Sequence, residues 1–206
     1  MLTEKGIATR QRIIEGAAAE FREQGVATTL DDVRARTSTS KSQLFHYFPK
    51  GKEELLLAVA YYEADRVISD QQPHLSNLTS WRAWDAWRHA VVERYRRQGQ
   101  QCPLSTLVTQ LGRSTPGAQR VVSVLLGQWQ SEIAIGIRQM QVRHKVAETL
   151  DVDQTAAALL AGIQGGVLIM LATGQLTHLE AALAVGIKSL RQSSLPLLSR
   201  SATREP

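Results

Sequence analysis

Thr29-Leu-Asp-Asp-Val-Arg-Ala-Arg-Thr-Ser-Thr-Ser-Lys-Ser-Gln-Leu-Phe-His-Tyr-Phe-Pro49 is the stretch whose reading decides the fold. Thr29 followed three residues later by Asp32 is a capping box, so a helix begins here and turns Leu30 and Val33 inward. The polar string Thr37-Ser-Thr-Ser40 ends it. Ser40, with Gln43 three residues on, opens a second short helix, and Pro49 bars its continuation. Two short helices meeting across a tight polar turn have the outline of a helix-turn-helix. Leu44, Phe45 and Phe48 supply the apolar side that locks the second helix to its neighbours. Residues 33–52 contain Arg34, Arg36, Lys41, Lys50 and Lys52 and no acid. A run of bases on short helices often forms no more than a solvated face. Here the free N–H groups and small side chains at Ser40 suit the approach of a phosphate.

Outward from this segment, nearly every stretch reads helical and none sustains a two-residue alternation. The expected fold is all-α with about nine helices: a three-helix N-terminal domain, then a helical domain. Ile13, Ile14, Ala17, Ala18 and Phe21 give the first helix one apolar stripe, and Gly25 is placed to cap its end. A fourth helix opens at Lys50-Gly51-Lys52 and runs through Leu55, Val59 and Tyr62 to about Gln71. Ser80 to Arg97 forms another, bearing Trp84, Trp87, Val91 and Tyr95. A short helix is expected over Pro103–Gly112. Thr115-Pro116 is a start signal for a long one with Val122, Leu125, Trp129, Ile133 and Met140 at helical spacing. Asp153 starts the next, and Thr177-His-Leu-Glu180 reads as a second capping box. The expected domains are 1–52 and 53–192, with 193–206 a flexible tail.

The chain has 206 residues, 43% of them hydrophobic and 21% charged, enough apolar material for a core and too much for disorder. A single cysteine excludes a disulfide-stapled scaffold. Residues 1–5 lack a basic-then-apolar leader pattern, which favours a cytoplasmic address. The net charge of +5 is numerically held by residues 33–52, the remainder balancing 19 bases against 19 acids. His46, His74, His89, His144 and His178 are scattered, no pair sits one helical turn apart, and no Gly-rich phosphate loop occurs. Neither an enzyme, a metal site nor a cofactor is expected.

Residues 9–59 resemble the N-terminal DNA-binding domain of TetR-type transcriptional regulators. Thr28-Thr-Leu-Asp-Asp-Val33, Ser40-Lys-Ser-Gln-Leu-Phe-His-Tyr-Phe-Pro49 and Lys52-Glu-Glu-Leu55 carry the resemblance. The stretch from Phe48 to Glu53 and Cys102-Pro-Leu104 look most like the branch with LmrA- and NemR-like repressors. Two positions depart from the usual pattern. The turn, commonly Ala-Gly-Val, is Thr37-Ser38-Thr39, and the small residue after the lysine, commonly Gly, is Ser42. Ser38 therefore stands where Gly would ease the backbone. The resemblance implies that Thr39, Ser42 and Gln43 face base edges in the major groove. It implies that Thr29, Lys41, His46, Tyr47, Lys50 and Lys52 sit on phosphates, beside the helix start at Ser40. Gln43 has two readings, a bidentate bond to adenine or the capping partner of Ser40. Tyr47 also has a reading as a core aromatic.

The apolar run from Ala156 to Ala172, with Gln164 its strongly polar member, is long enough to span a bilayer. Gly162 and Gly166 make a G-x-x-x-G pair. Against a span stand Asp151 and Asp153 at one end and the absence of basic or aromatic anchors. A helix apolar on all sides also suits burial, between the preceding long helix and a second copy of the chain. One recognition helix reads only a few base pairs, so reading an operator calls for a homodimer. In the resembling family the last two helices build that interface. Here Leu160, Ile163, Val167, Leu171, Ala182, Val185 and Gly186 would line it.

Trp84, Trp87, Tyr95 and Trp129 read either as core or as the lining of a ligand cavity. Gln164 wants a partner: its twin, a core residue or a ligand. The resemblance implies an effector in this region that lowers DNA affinity. Cys102, beyond Arg94, Arg96 and Arg97, reads as a buried thiol or as an electrophile sensor like the cysteine of NemR-like relatives. The function expected is a ligand-responsive, sequence-specific DNA-binding regulator, a repressor by family resemblance. A non-specific architectural DNA binder and a cysteine-based sensor are the other readings.

Overall fold

The computed structural model describes residues 3–99, 102, 108 and 115–193. Among them are eight α-helices and no strand: α1 (Glu4–Gln24), α2 (Leu30–Thr37), α3 (Lys41–Tyr47), α4 (Lys52–Ser69), α5 (Trp81–Gln98), α6 (Pro116–Val142), α7 (Val152–Thr173) and α8 (Thr177–Ser193). The helix expected over Pro103–Gly112 and the tail beyond Ser193 lie outside the described residues. The chain falls into two compact units. One takes residues up to Asp70 and 98–128; the other takes Gln71–Arg97 and everything from Trp129.

In the first unit, local chemistry sets each helix end. Thr3 caps α1 by accepting the N–H of Gly6, and Gly25 closes it at φ 67°, where glycine carries no Cβ penalty. The capping box of α2 is formed as expected. Thr29 Oγ1 accepts the Asp32 N–H at 3.2 Å, and the Asp32 carboxylate accepts the Thr29 N–H at 2.8 Å. The Thr29 hydroxyl also donates to the Asp32 carboxylate at 2.6 Å, and this bond, followed by the one from the Thr29 N–H, holds the Asp32 pKa below its ordinary value. Ile13, Ala17 and Phe21 of α1 meet Val33, Leu44, Phe48, Leu55 and Val59 in a core with almost no exposure. Phe45, expected in that core, is 39% exposed instead. The seven-residue α3 buries one face only, and Leu44 occupies it.

Ser38 ends α2 in the left-handed conformation, φ 48° and ψ 45°, its N–H bonded to the carbonyls of Ala35 and Arg34. A non-glycine residue there costs about 1–2 kcal/mol, partly offset by the chain entropy glycine would lose on folding. Ser38→Gly is therefore expected to stabilise the protein by about 0.5–1 kcal/mol, read as a higher urea midpoint at unchanged slope. A lower midpoint would show that the hydroxyl does more at this turn than the backbone costs.

In the second unit Trp84, Trp87 and Tyr95 of α5 and Trp129, Ile133, Ile137 and Met140 of α6 are all buried, and α6 comes so close at Gly136 that a Cβ there would lie 3.2 Å from the Trp84 ring. Trp84 and Trp87 meet edge to face at 5.7 Å. Helix α6 starts at Pro116 as expected, but an inward position near its start is shifted by one: Val121 is buried and Val122 is half-buried. Asp151, not Asp153, caps α7 by accepting the Gln154 N–H at 2.9 Å. Helix α7 has a mean hydropathy of 1.9, long and apolar enough to cross a membrane by that measure alone. It packs instead on α8. A Cβ on Gly166 would lie 2.5 Å from the Leu179 Cα, so only glycine admits this approach. Gly162 faces Ala182 in the same seam, so the G-x-x-x-G pair serves packing within the chain. The capping box expected at Thr177 is not formed. Thr177 is already helical, and the Glu180 carboxylate is drawn off to Arg96 at 3.0 Å.

Candidate nucleic-acid interface

Helix α3 stands on its buried Leu44, which leaves Lys41, Ser42, Gln43 and His46 exposed. Ser40 caps it, accepting the Gln43 N–H at 3.1 Å and lying 3.1 Å from the Ser42 hydroxyl. The Gln43 side chain itself is exposed and has no hydrogen-bond partner among the described residues. The half-buried Tyr47 stacks edge-on against His46 with centroids 4.9 Å apart. Lys50 and Thr29 are exposed beside this face, and Lys52 is half-buried. These residues form one polar surface around α3. Thr39 is absent from it. Its side chain is buried and its hydroxyl bonds Thr37, because the turn must satisfy its own polar groups.

The turn is braced from α1. Arg12 donates to the Thr37 carbonyl, and Arg36 donates to the carboxylates of Glu20 and Glu23. Both carboxylates raise the Arg36 pKa, Glu20 more than Glu23. Arg34 pairs with Asp31 at 2.5 Å. Two of the five bases in the acid-free run are thus engaged by acids outside it. Lys41 and Lys50 are exposed and their ammonium groups make no ion pair among the described residues, although the Lys50 backbone N–H donates to the Glu54 carboxylate at 3.0 Å. None of these acids was legible as a partner from the run itself. The signal available was that Glu20 and Glu23 lie one turn apart on α1.

Of the expected ligand-binding residues, Trp84, Trp87, Tyr95 and Trp129 are buried and Gln164 is half-buried. The Trp84 indole N–H donates to the Leu78 carbonyl at 3.2 Å, and that of Trp87 to Gln71 at 3.1 Å. The indole nitrogen of Trp129 and the amide nitrogen of Gln164 are buried with no hydrogen-bond partner among the described residues. Cys102 is buried as well. Of the residues expected between subunits, Leu160, Ile163 and Val167 are buried within the single chain. Gly186 receives the Leu159 side chain, Leu171 and Ala182 are half-buried, and Val185 is 63% exposed. Leu168 and Ile169 of α7 are exposed beside them in sequence, at 58% and 36%. The outward apolar face is therefore displaced from the one expected, because packing of α7 on α8 consumes the larger side chains.

Two family models match the chain. Residues 13–59 match the bacterial regulatory proteins of the tetR family, and residues 81–185 match the tetracyclin repressor-like C-terminal domain. An uncharacterized HTH-type transcriptional regulator in the lacX 3' region of Lactococcus lactis is 24% identical over 181 residues, 84% of this chain and 88% of that protein. A TetR transcriptional regulator from Chloroflexus aurantiacus superposes with a TM-score of 0.80 at 23% identity, covering 93% of this chain and 98% of that one. The SmeT–triclosan complex superposes with a TM-score of 0.70 at 17% identity, over 97% and 100%; SmeT represses a multidrug efflux pump of Stenotrophomonas maltophilia. A capped three-helix reading head, an all-helical second unit and two family models together settle the assignment: the chain belongs to the TetR family of DNA-binding transcriptional regulators.

Proposed function

We propose that this regulator is a cytoplasmic homodimeric repressor that reads an operator with α3 of each copy and leaves it when a small molecule binds. The observation that carries the reading is the exposed face of α3. Ser42 and Gln43 stand outward for base edges, flanked by Lys41, His46, Tyr47 and Lys50 for phosphates. Residues 1–52 do the reading, and 53–192 bind effector and dimerise. The exposed Leu168, Ile169 and Val185 belong to the dimer face, since large apolar side chains in the open mark an interface. The buried, unpartnered donors of Trp129 and Gln164 support an effector bearing hydrogen-bond acceptors. The complex of SmeT with triclosan is consistent with such a pocket in this fold.

Selection of bound duplexes from a random library, then screening of compounds for release of the selected site, tests the whole reading. The expected outcome is a palindromic site bound roughly 10³-fold or more above bulk DNA. Equal affinity for all duplexes would replace the repressor by an architectural binder. Lys50→Ala is expected to weaken binding to every duplex and to lower the salt slope by about 0.9 per lost phosphate contact, hence about twice that for a dimer. An unchanged slope would remove Lys50 from the phosphate contacts.

A further inference from the structure

Helices α5 and α8 carry a second cationic surface, on a part of the chain distant in sequence from the reading head. Outside its buried face α5 has Arg82, Arg88, Arg96 and Arg97 against Asp85 and Glu93, and α8 adds Lys188 and Arg191 against Glu180. Two ion pairs tie the helices antiparallel, Asp85 to Arg191 at 2.6 Å and Arg96 to Glu180 at 3.0 Å. Beside the second of these pairs the helices leave a groove of about 450 Å³, lined by Arg88, His89 and Val92 of α5 and by Thr177, Ala181 and Ala184 of α8, with the Arg96–Glu180 pair itself forming part of the wall. The gap exists because α8 presents alanines there, whose side chains are too short to fill it.

The Glu180 carboxylate in the wall is taken by Arg96, which leaves the Arg88 charge without an ion pair. Arg88 is half-buried and His89 exposed, and neither has an ion-pair or hydrogen-bond partner among the described residues. The first turn of α8 reaches the groove at Thr177, and N–H groups of a first helical turn have no partner within their helix. A planar guanidinium with an imidazole beside it matches the two oxygens of an oxyanion. Val92, Ala181 and Ala184 offer an apolar wall for a compact hydrocarbon body.

We propose that this groove is a binding site for a small oxyanion, a carboxylate or phosphate on a compact body, separate from the effector site assigned above to Trp129 and Gln164. Arg88 grips the anion bidentately, His89 and the first turn of α8 donate to it, and the alanine wall sets the size of its body. Occupied, the anion ties α5 to α8 beside the Arg96–Glu180 pair.

Calorimetric titration of the full chain with benzoate, neutral benzamide and inorganic phosphate tests this, with arginine Nε–H resonances reporting the position. Benzoate is expected to bind and to shift the Arg88 resonance, while benzamide leaves it still. Arg88→Ala is expected to weaken binding at least tenfold, with Arg88→Lys between the two. His89→Ala, at an exposed position, is expected to weaken it severalfold and keeps the test decisive if Arg88→Ala does not fold. Competition by phosphate shows that the site takes phosphates as well as carboxylates; binding of phosphate alone assigns it to phosphates. Failure of both anions to bind at millimolar concentration, equal binding of benzoate and benzamide, or indifference to Arg88 and His89 would overturn the proposal.

Discussion

Leu168→Glu is expected to leave the single chain folded and to abolish both pairing and operator binding. Leu168 is 58% exposed, so glutamate there disturbs no core of its own chain. In a dimer built on this face it would bury an unpaired carboxylate beside Ile169 and Val185, which costs several kcal/mol. A monomer presents one α3 instead of two, and affinity falls from the specific range toward the non-specific one, a loss on the order of 10³-fold or more. Sedimentation gives the mass, circular dichroism the helical content, and a mobility shift the affinity. Val185→Glu should act alike. If both variants remain dimeric and bind as before, the interface lies elsewhere.

Arg22→Ala is expected to produce the largest loss of stability, about 3 kcal/mol or more. Glu63 of α4 is fully buried and paired with Arg22 of α1, while Arg66 approaches its other oxygen only to 3.9 Å. Burial raises the Glu63 pKa, and the two arginines oppose that rise without cancelling it. The sign follows from linkage. A carboxyl with a raised folded pKa contributes stability that is full below its unfolded value near 4.5 and is lost as pH rises through the folded pKa. Without Arg22 the folded pKa climbs further, so the deficit against the parent protein should be larger near pH 7.5 than near pH 5 in urea melts. Adding Glu63→Gln should recover part of the loss at the higher pH. A deficit independent of pH would mean that lost packing, not an unpaired charge, is responsible.

Much of the fold was legible because helix ends are written over three or four residues. Thr29 with Asp32, Gly25 after the first stripe and Pro116 behind Thr115 each needed only near neighbours, and each marks a boundary in the structure. The left-handed Ser38 was legible by another route, because it stands where the resembling family commonly has glycine. What failed was pairing across distance. Nothing local to Arg36 announces Glu20 and Glu23, and nothing local to Glu180 says that Arg96 will take its carboxylate from the cap. The apolar stripe of α7 had two faces of nearly equal composition. Its periodicity could not say which would meet α8, and Leu160, Ile163 and Val167 went inward. The charge balance outside residues 33–52 also hid a surplus, because the bases of α5 and α8 were averaged against acids elsewhere. At the reading head the resemblance singled out Lys41, Ser42, Gln43 and His46, all of which are exposed, and Thr39, whose side chain is buried with its hydroxyl bonded to Thr37.

The bracing of the turn by Glu20 and Glu23 bears on how the protein finds its target along a chromosome. Sliding on arbitrary sequence is held by phosphates neutralised, each releasing counterions. An arginine clasped by two glutamates of its own chain releases none. With Arg36 so held and Arg34 on Asp31, fewer cations of this segment are free for phosphates. On the function proposed above, encounters with wrong sequence are then expected to be brief, with a search by hopping through solution more than by long glides.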